Sequence, residues 1–235
     1  MSDLEGLPAH GPERVADGGP SQTFDRHAAT RGLEAGAPGA MLVIISGPSG
    51  VGKDTIIEAL RRRPHDPELY YVVTCTTRGP RPGEVDGRSY HFLPEAEFVG
   101  LRDAGELLES AEVHGHWYGT PRREVLDALQ AGQDVILKID VQGAATVKAR
   151  VSNALLIFLV PPSLEALFGR LRSRATETAD ELEVRQRNAA VELARSEDYD
   201  HVVVNETGEV DRTAAAIDAI LDAERTRHPR RRVRL

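Results

Sequence analysis

Residues 45 to 55 read ISGPSGVGKDT, and their chemistry is legible before any fold is assigned. Gly47, Gly52 and Lys53 meet the spacing G-x-x-x-x-G-K of a loop that wraps nucleotide phosphates. Glycines let successive backbone N–H groups turn into one concavity, an anion nest at a helix N-terminus, and the lysine adds charge near the β- and γ-phosphates. The candidate nucleotide-binding set is therefore Gly47, Pro48, Ser49, Gly50, Val51, Gly52, Lys53, Asp54 and Thr55. Loops of this kind close on a serine or threonine whose hydroxyl ligates magnesium. Here position 54 is a carboxylate. A second reactive stretch, TCTTRGPRPGEVDGRSYHF (74–92), sets Arg78 and Arg81 three apart in a proline- and glycine-bearing turn, with Tyr90 downstream. Two guanidinium forks and a phenol make a phosphate clamp, because arginine meets phosphate oxygens in pairs.

Such groups need a scaffold, and the flanking sequence supplies one. MLVIIS (41–46) is a continuous apolar run of the kind that forms a parallel strand buried on both faces. KDTIIEALRRR follows the loop and puts Ile56, Ile57 and Leu60 on one helical face. YYVVT (70–74), DVILKID (134–140), ALLIFLV (154–160) and HVVVN (201–205) are further β-branched runs separated by helical patterns. That alternation predicts an α/β fold with a parallel sheet flanked by helices. Between about 74 and 121 the rhythm changes to polar loops and short alternating strands, SYHFL and LLESAEVH, as in an insertion at one end of the sheet. RLRSRATETADELEVRQR (170–187) is highly charged, with a Thr-rich joint before a helix, and reads as a mobile lid or as a solvated helix pair. Residues 1–40 hold no hydrophobic period and read as a disordered extension, and RHPRRRVRL (227–235) reads as a solvated basic tail.

Composition bounds the rest. A formal charge of −8 over 235 residues argues against general nucleic-acid binding. The single cysteine, Cys75, excludes an internal disulfide and fits a reducing cytoplasm. No apolar run reaches membrane-spanning length. The eight histidines show no metal-ligand spacing. A soluble cytoplasmic protein without membrane or nucleic-acid partners is the expectation.

The loop at 47–53, TTRGPRPGEVDGRSYHF, LLESAEVHGHWYGTP and ILKIDVQG follow one another in this order, and together they resemble a guanylate kinase from about Met41 to about Arg225. The resemblance implies a P-loop nucleoside-monophosphate-kinase fold spanning 41–226, with a parallel core, an inserted GMP-binding domain and a lid. It implies transfer of the γ-phosphoryl group of ATP to GMP with Mg2+, in purine nucleotide metabolism, and it implies a homodimer. By motif position, Arg78, Arg81, Tyr90 and Tyr118 would hold the GMP phosphate. Glu109 would face the guanine edge, where an ionised carboxylate accepts from N1–H and the 2-amino group and repels the adenine N1 acceptor. Thr74 and Thr120 stand where the family commonly has serine, and each keeps a hydroxyl. Asp140 matches the aspartate of the IDxQG motif. Thr120-Pro121 also reads as a helix cap and first helical residue.

On the ATP side the resemblance assigns Arg170, Arg174 and Arg185 to phosphates reached as the lid closes, with Asn205 near the adenine. Arg185 would serve both substrates, and Lys53, Arg78, Arg174 and Arg185 form the expected catalytic set. Ala175 departs from the family's glycine after Arg174, which puts the lid hinge in question. Two other classes compete. A scaffold module that kept the fold and lost catalysis is opposed by the intact Lys53 and clamp arginines, and supported only by Asp54. A kinase of another monophosphate is opposed by Glu109 with its two flanking hydroxyls.

Asp54 has a counterpart, since the family usually carries an acidic residue where this chain has Lys138. Opposite departures at two positions along one sheet edge suggest a charge exchange. Asp54 would then ligate magnesium directly or through water, with Lys138 offsetting the added charge. The alternative is that Asp54 turns outward and Thr55 or water serves the metal.

Overall fold

The computed structural model describes residues 39–65, 67–113, 115–172, 179–227 and Val233. Five parallel strands, β1 (Leu42–Ser46), β2 (Leu69–Tyr71), β7 (Asp134–Lys138), β8 (Leu155–Val160) and β9 (His201–Val204), form one sheet in the order β2-β7-β1-β8-β9. Four shorter strands, β3 (Cys75–Thr76), β4 (His91–Phe92), β5 (Leu107–Val113) and β6 (His116–Pro121), form a second sheet in the order β4-β3-β6-β5. The helices are α1 (Lys53–Arg61), α2 (Glu95–Asp103), α3 (Arg122–Gln130), α4 (Val141–Arg150), α5 (Leu164–Arg172), α6 (Ala179–Leu193) and α7 (Val210–Thr226).

β1 lies at the centre of the large sheet, and every residue in it is buried. Its alternate side chains enter two cores. Val43 and Ile45 join Ile56 and Leu60 of α1 and Ile217 and Leu221 of α7. Leu42 and Ile44 join Val125 and Leu129 of α3 and Val147 of α4. Burial on both faces is why the run is apolar throughout instead of alternating. A third, smaller core of Cys75, Phe98 and Leu107 belongs to the second sheet. Trp117 packs onto it, stacked on Phe98 at 6.1 Å, with the Arg102 guanidinium 5.1 Å from its centroid.

Several boundaries differ from the sequence expectation, each for a local reason. The second strand ends at Tyr71 instead of Thr74. Val72 N–H still donates to the Ile136 carbonyl, but Val73 N–H turns away to the Glu124 carboxylate at 3.1 Å and leads the chain into the insertion. The run DVILKID is strand only to Lys138; Asp140 is the N-cap of α4, accepting from Gly143 N–H at 2.8 Å. Thr120 does not cap a helix: it is paired in β6, and α3 begins at Arg122 behind Pro121. Helix α2 was not anticipated, because its nine residues bury only Phe98 and so carry little helical period. Val233 is buried in the second core, so the expected solvated tail is anchored at that residue. Ala40 is buried in the second core, so the disordered extension expected over 1–40 stops short of it. Residues 1–38, and the lid joint at 173–178 with Arg174 and Ala175, lie outside the described residues.

Candidate active site

The C-terminal end of β1 runs straight into the glycine loop, and α1 starts at Lys53. Sheet topology therefore brings the loop to the edge where ligands of open α/β sheets bind. Gly52 has φ +103, and a Cβ there would lie 2.6 Å from Asn205 Nδ2, so both backbone and space require glycine. Lys53 folds back on its own loop, donating to the carbonyls of Gly47 at 2.6 Å and Pro48 at 3.1 Å. Burial pushes its pKa down against the opposing pull of Glu192, Asp54 and Asp140. A cation held under that desolvation gains from any phosphate that enters the nest.

Helices α5 and α6 and the residue after β9 also reach the loop. Arg185, 8% exposed, donates to Ser49 Oγ at 2.8 Å, and the Glu192 carboxylate accepts from Ser49 N–H at 2.9 Å. Arg170 donates to the Val51 carbonyl at 3.0 Å, the Asn205 carbonyl at 3.1 Å and Thr207 Oγ1 at 2.9 Å. Asn205 Nδ2 donates to the same Val51 carbonyl at 2.7 Å. In this arrangement Arg170 and Asn205 brace the loop backbone, so a phosphate contact by Arg170 would require it to exchange partners.

On the insertion, three of the four expected clamp residues, Arg78, Tyr90 and Tyr118, come together. Arg78 is 9% exposed and donates from Nε to Tyr118 Oη at 3.3 Å. Its guanidinium carbon lies 5.5 Å from the centroid of Tyr90, whose ring meets Tyr118 edge-on at 5.9 Å. The outer edge of the Arg78 fork is held by Glu84 in a bidentate pair of 2.9 and 2.8 Å, and Glu84 also accepts from Arg81 N–H at 2.7 Å. Burial would raise the Glu84 pKa, but Arg78 and the Arg81 amide outweigh it and keep it low. The Arg81 side chain is exposed.

Glu109 lies on β5 and is only 3% exposed. Thr120 on the neighbouring strand donates to Glu109 Oε1 at 2.6 Å. Gly143, in the first turn of α4, comes so close that a Cβ would lie 2.7 Å from Glu109 Oε2. Burial, with Asp140 nearby, pushes the Glu109 carboxyl up to about 7 against the pull of Thr120. Thr74, 5% exposed, ends the approach to β3, and its carbonyl accepts from His91 N–H at 2.9 Å.

Between the two halves runs a cleft whose walls include Asp54, Thr74, Glu84, Tyr90 and Lys138. Lys138 Nζ donates to Asp54 Oδ1 at 2.5 Å and to Tyr90 Oη at 3.2 Å. The expected pairing of Asp54 with Lys138 is thus present. Thr55, the alternative oxygen donor, is exposed in the first turn of α1. Among the described residues no group of three or more His, Cys, Asp or Glu side chains gathers into a cage for a metal. Magnesium carried by a triphosphate needs only one or two protein oxygens, and Asp54 beside the loop lysine offers one.

The same constellation has relatives. Residues 39–224 match the family model described as guanylate kinase. The chain belongs to the guanylate kinase family. A guanylate kinase from Gloeobacter violaceus is 50% identical over 189 residues, covering 80% of this chain and 89% of its own. One from Chelativorans is 42% identical over 206 residues, covering 85% and 93%. The crystal structure of guanylate kinase from Anaplasma phagocytophilum superimposes with a TM-score of 0.65 at 33% identity, covering 84% of this chain and 92% of that one.

Within this guanylate kinase scaffold, two charged groups at the candidate site were not singled out from sequence. Glu84 stands three residues after Arg81 inside the quoted PRPGE turn, and a carboxylate at that reach of two arginines was a readable signal. Glu192 lies seven residues after Arg185, two turns along the same face of α6, so helical spacing alone linked them.

Proposed function

We propose that this chain is an ATP:GMP phosphotransferase, moving the γ-phosphoryl group of ATP to GMP and releasing ADP and GDP. The observation that carries the reading is the buried Glu109–Thr120 pair on the insertion, 2.6 Å apart, in a domain that also carries the Arg78–Tyr118 clamp. An ionised carboxylate there accepts from the guanine N1–H and 2-amino group, whereas adenine presents an acceptor at N1. Thr74 and Thr120 supply hydroxyls beside the base, and Asp140 reinforces the acidic side of the pocket. Arg78, Arg81, Tyr90 and Tyr118 take the GMP phosphate.

The glycine loop from Gly47 to Asp54 cradles the ATP phosphates, with Lys53 leaving its carbonyl partners for the β- and γ-oxygens. A GMP phosphate oxygen forms the new P–O bond as the bond from the γ-phosphorus to the bridging oxygen breaks, and the pair of electrons leaves with ADP. The attacking oxygen is already anionic, so no general base is needed. Positioning and charge neutralisation do the rest. Bound magnesium would neutralise charge on the triphosphate, and Asp54 would hold it. Arg185, joined to Ser49, adds positive charge at the loop, and by the family resemblance Arg174 would join it in keeping water from the phosphoryl group. The cytoplasm, where both nucleotides are abundant, is the setting this implies.

A coupled assay of ADP release, offering ATP with GMP, AMP, UMP or CMP, tests the reading. Turnover with GMP at least a hundredfold above the others is expected. No turnover with any of them would favour a non-catalytic scaffold, and preference for another monophosphate would refute the role of Glu109.

A further inference from the structure

Lys138 belongs to both halves of the cleft. Strand register sets it beside Ile45, at the end of β7 next to the strand that feeds the glycine loop. Its ammonium donates to Asp54 on the nucleotide side at 2.5 Å and to Tyr90 on the acceptor side at 3.2 Å. Nζ also lies 4.4 Å from the Tyr90 ring centroid, and that ring is shared with Arg78. A structural strut is a poor account of this pair. The Asp54 side chain is 69% exposed, and ion pairs with an exposed member add little to stability. The geometry is better suited to a cation that can be passed between two anionic partners.

We infer that Lys138 couples the two substrate sites: it is held by Asp54 until metal-bound nucleotide engages that carboxylate, and is then released to the GMP phosphate at Tyr90. This rests on the functional reading above. A carboxylate that turns its oxygens to a dication attracts a neighbouring ammonium less, and the dication itself repels it. The GMP phosphate brings negative charge to the place where Tyr90 already holds Nζ. Each ligand therefore favours the arrangement the other needs, and the coupling is reciprocal. The chain thereby gains a cation beside the acceptor phosphate, additional to Arg78 and Arg81.

Titration calorimetry of GMP into the full chain tests this, using no nucleotide, ADP with EDTA, and ADP with Mg2+. ADP cannot phosphorylate GMP, so binding is read alone. MgADP should tighten GMP binding about tenfold in the native protein, within the usual range of coupling, and ADP with EDTA should tighten it far less. In Lys138→Met the tightening should vanish. In Asp54→Asn, GMP should bind without nucleotide as tightly as it does to the native protein with MgADP, with no further gain. Tyr90→Phe should lose part of the coupling while keeping the Asp54–Lys138 pair. The spectrum of Mn2+ bound with ADP, followed by electron paramagnetic resonance, should show weaker Mn2+ retention in Asp54→Asn. Thermal unfolding of each variant checks that it folds; should Lys138→Met fail to fold, the Asp54→Asn and Tyr90→Phe titrations decide. Coupling retained in a folded Lys138→Met, or Asp54→Asn binding GMP no more tightly than the native protein without nucleotide, would overturn the inference. Failure of the native protein to bind GMP at all would instead overturn the functional reading on which it rests.

Discussion

Replacing Glu109 by glutamine should stabilise the folded protein at high pH while crippling its use of GMP. The carboxyl is 3% exposed, and burial raises its pKa from 4.5 to about 7. A raised carboxyl means that the folded state holds the proton more tightly than the unfolded state. Its contribution to stability is therefore greatest at low pH and is lost as pH rises from about 4.5 through about 7. The whole shift corresponds to roughly 3 kcal/mol, of which roughly 2 kcal/mol falls between pH 5 and pH 8. Glutamine keeps an oxygen for the Thr120 hydroxyl and does not titrate. The Tm of Glu109→Gln relative to the native protein should thus rise on the order of 5 °C between pH 5 and pH 8, measured by scanning calorimetry without ligand. GMP affinity should move the other way. In the native protein it should weaken as pH falls below 7, because only the ionised carboxyl accepts from both guanine donors. In the variant it should be nearly flat with pH and, at pH 8, weaker by one to two decades, the loss of a charge-assisted hydrogen bond of roughly 1.5–3 kcal/mol. Parallel pH profiles of Tm in the two proteins would refute the burial argument. Unchanged GMP affinity would refute the assignment of the base-reading residue.

Arg78→Ala should cut kcat/KM for GMP by at least a hundredfold and leave the Glu84 carboxylate without its fork; Arg78→Lys should rescue little of it, because an ammonium cannot hold Glu84, Tyr118 and a phosphate at once. Full activity in Arg78→Lys, measured by steady-state kinetics, would show that charge alone matters there. Cys75 is fully buried and its thiol is pushed up to about 12 by burial, so iodoacetamide at pH 8 should leave the native protein unmodified by mass spectrometry and label it fully in urea. Asp134, 2% exposed, accepts from Met41 N–H and from Arg225 Nε, each at 2.8 Å. Asp134→Ala should cost roughly 3–5 kcal/mol in urea unfolding, because it leaves the half-buried guanidinium and an amide without this partner.

Most of the large sheet was legible because its central strands β1, β7 and β8 are buried on both faces, so apolar runs such as LVIIS and LLIFLV mark their own limits. The phosphate loop was legible because its glycines are demanded by backbone geometry. Less of the insertion could be read. The alternating runs SYHFL and LLESAEVH did mark β4 and β5, but the sheet has one small core, β3 is two residues long and α2 buries a single side chain, so no hydrophobic period announces those two. Strand ends were missed where a long-range contact decides them, as when Glu124 draws Val73 out of the ladder. Two opposite departures from the family pattern, at Asp54 and Lys138 along one sheet edge, suggested a pair across 84 residues of sequence. The third partner, Tyr90, came only from the fold, since nothing in the spacing of 90 and 138 brings them together.

On the proposed function, the γ-phosphoryl group moves to the phosphate of the nucleotide whose base Glu109 selects. Phosphorus NMR of the native protein with Mg2+, ATP and equal amounts of GMP and AMP follows this directly. The account predicts that the GDP β-phosphorus signal grows in step with the loss of ATP, while AMP is not consumed. ADP forming from ATP with GMP untouched, or AMP consumed as readily as GMP, would contradict it.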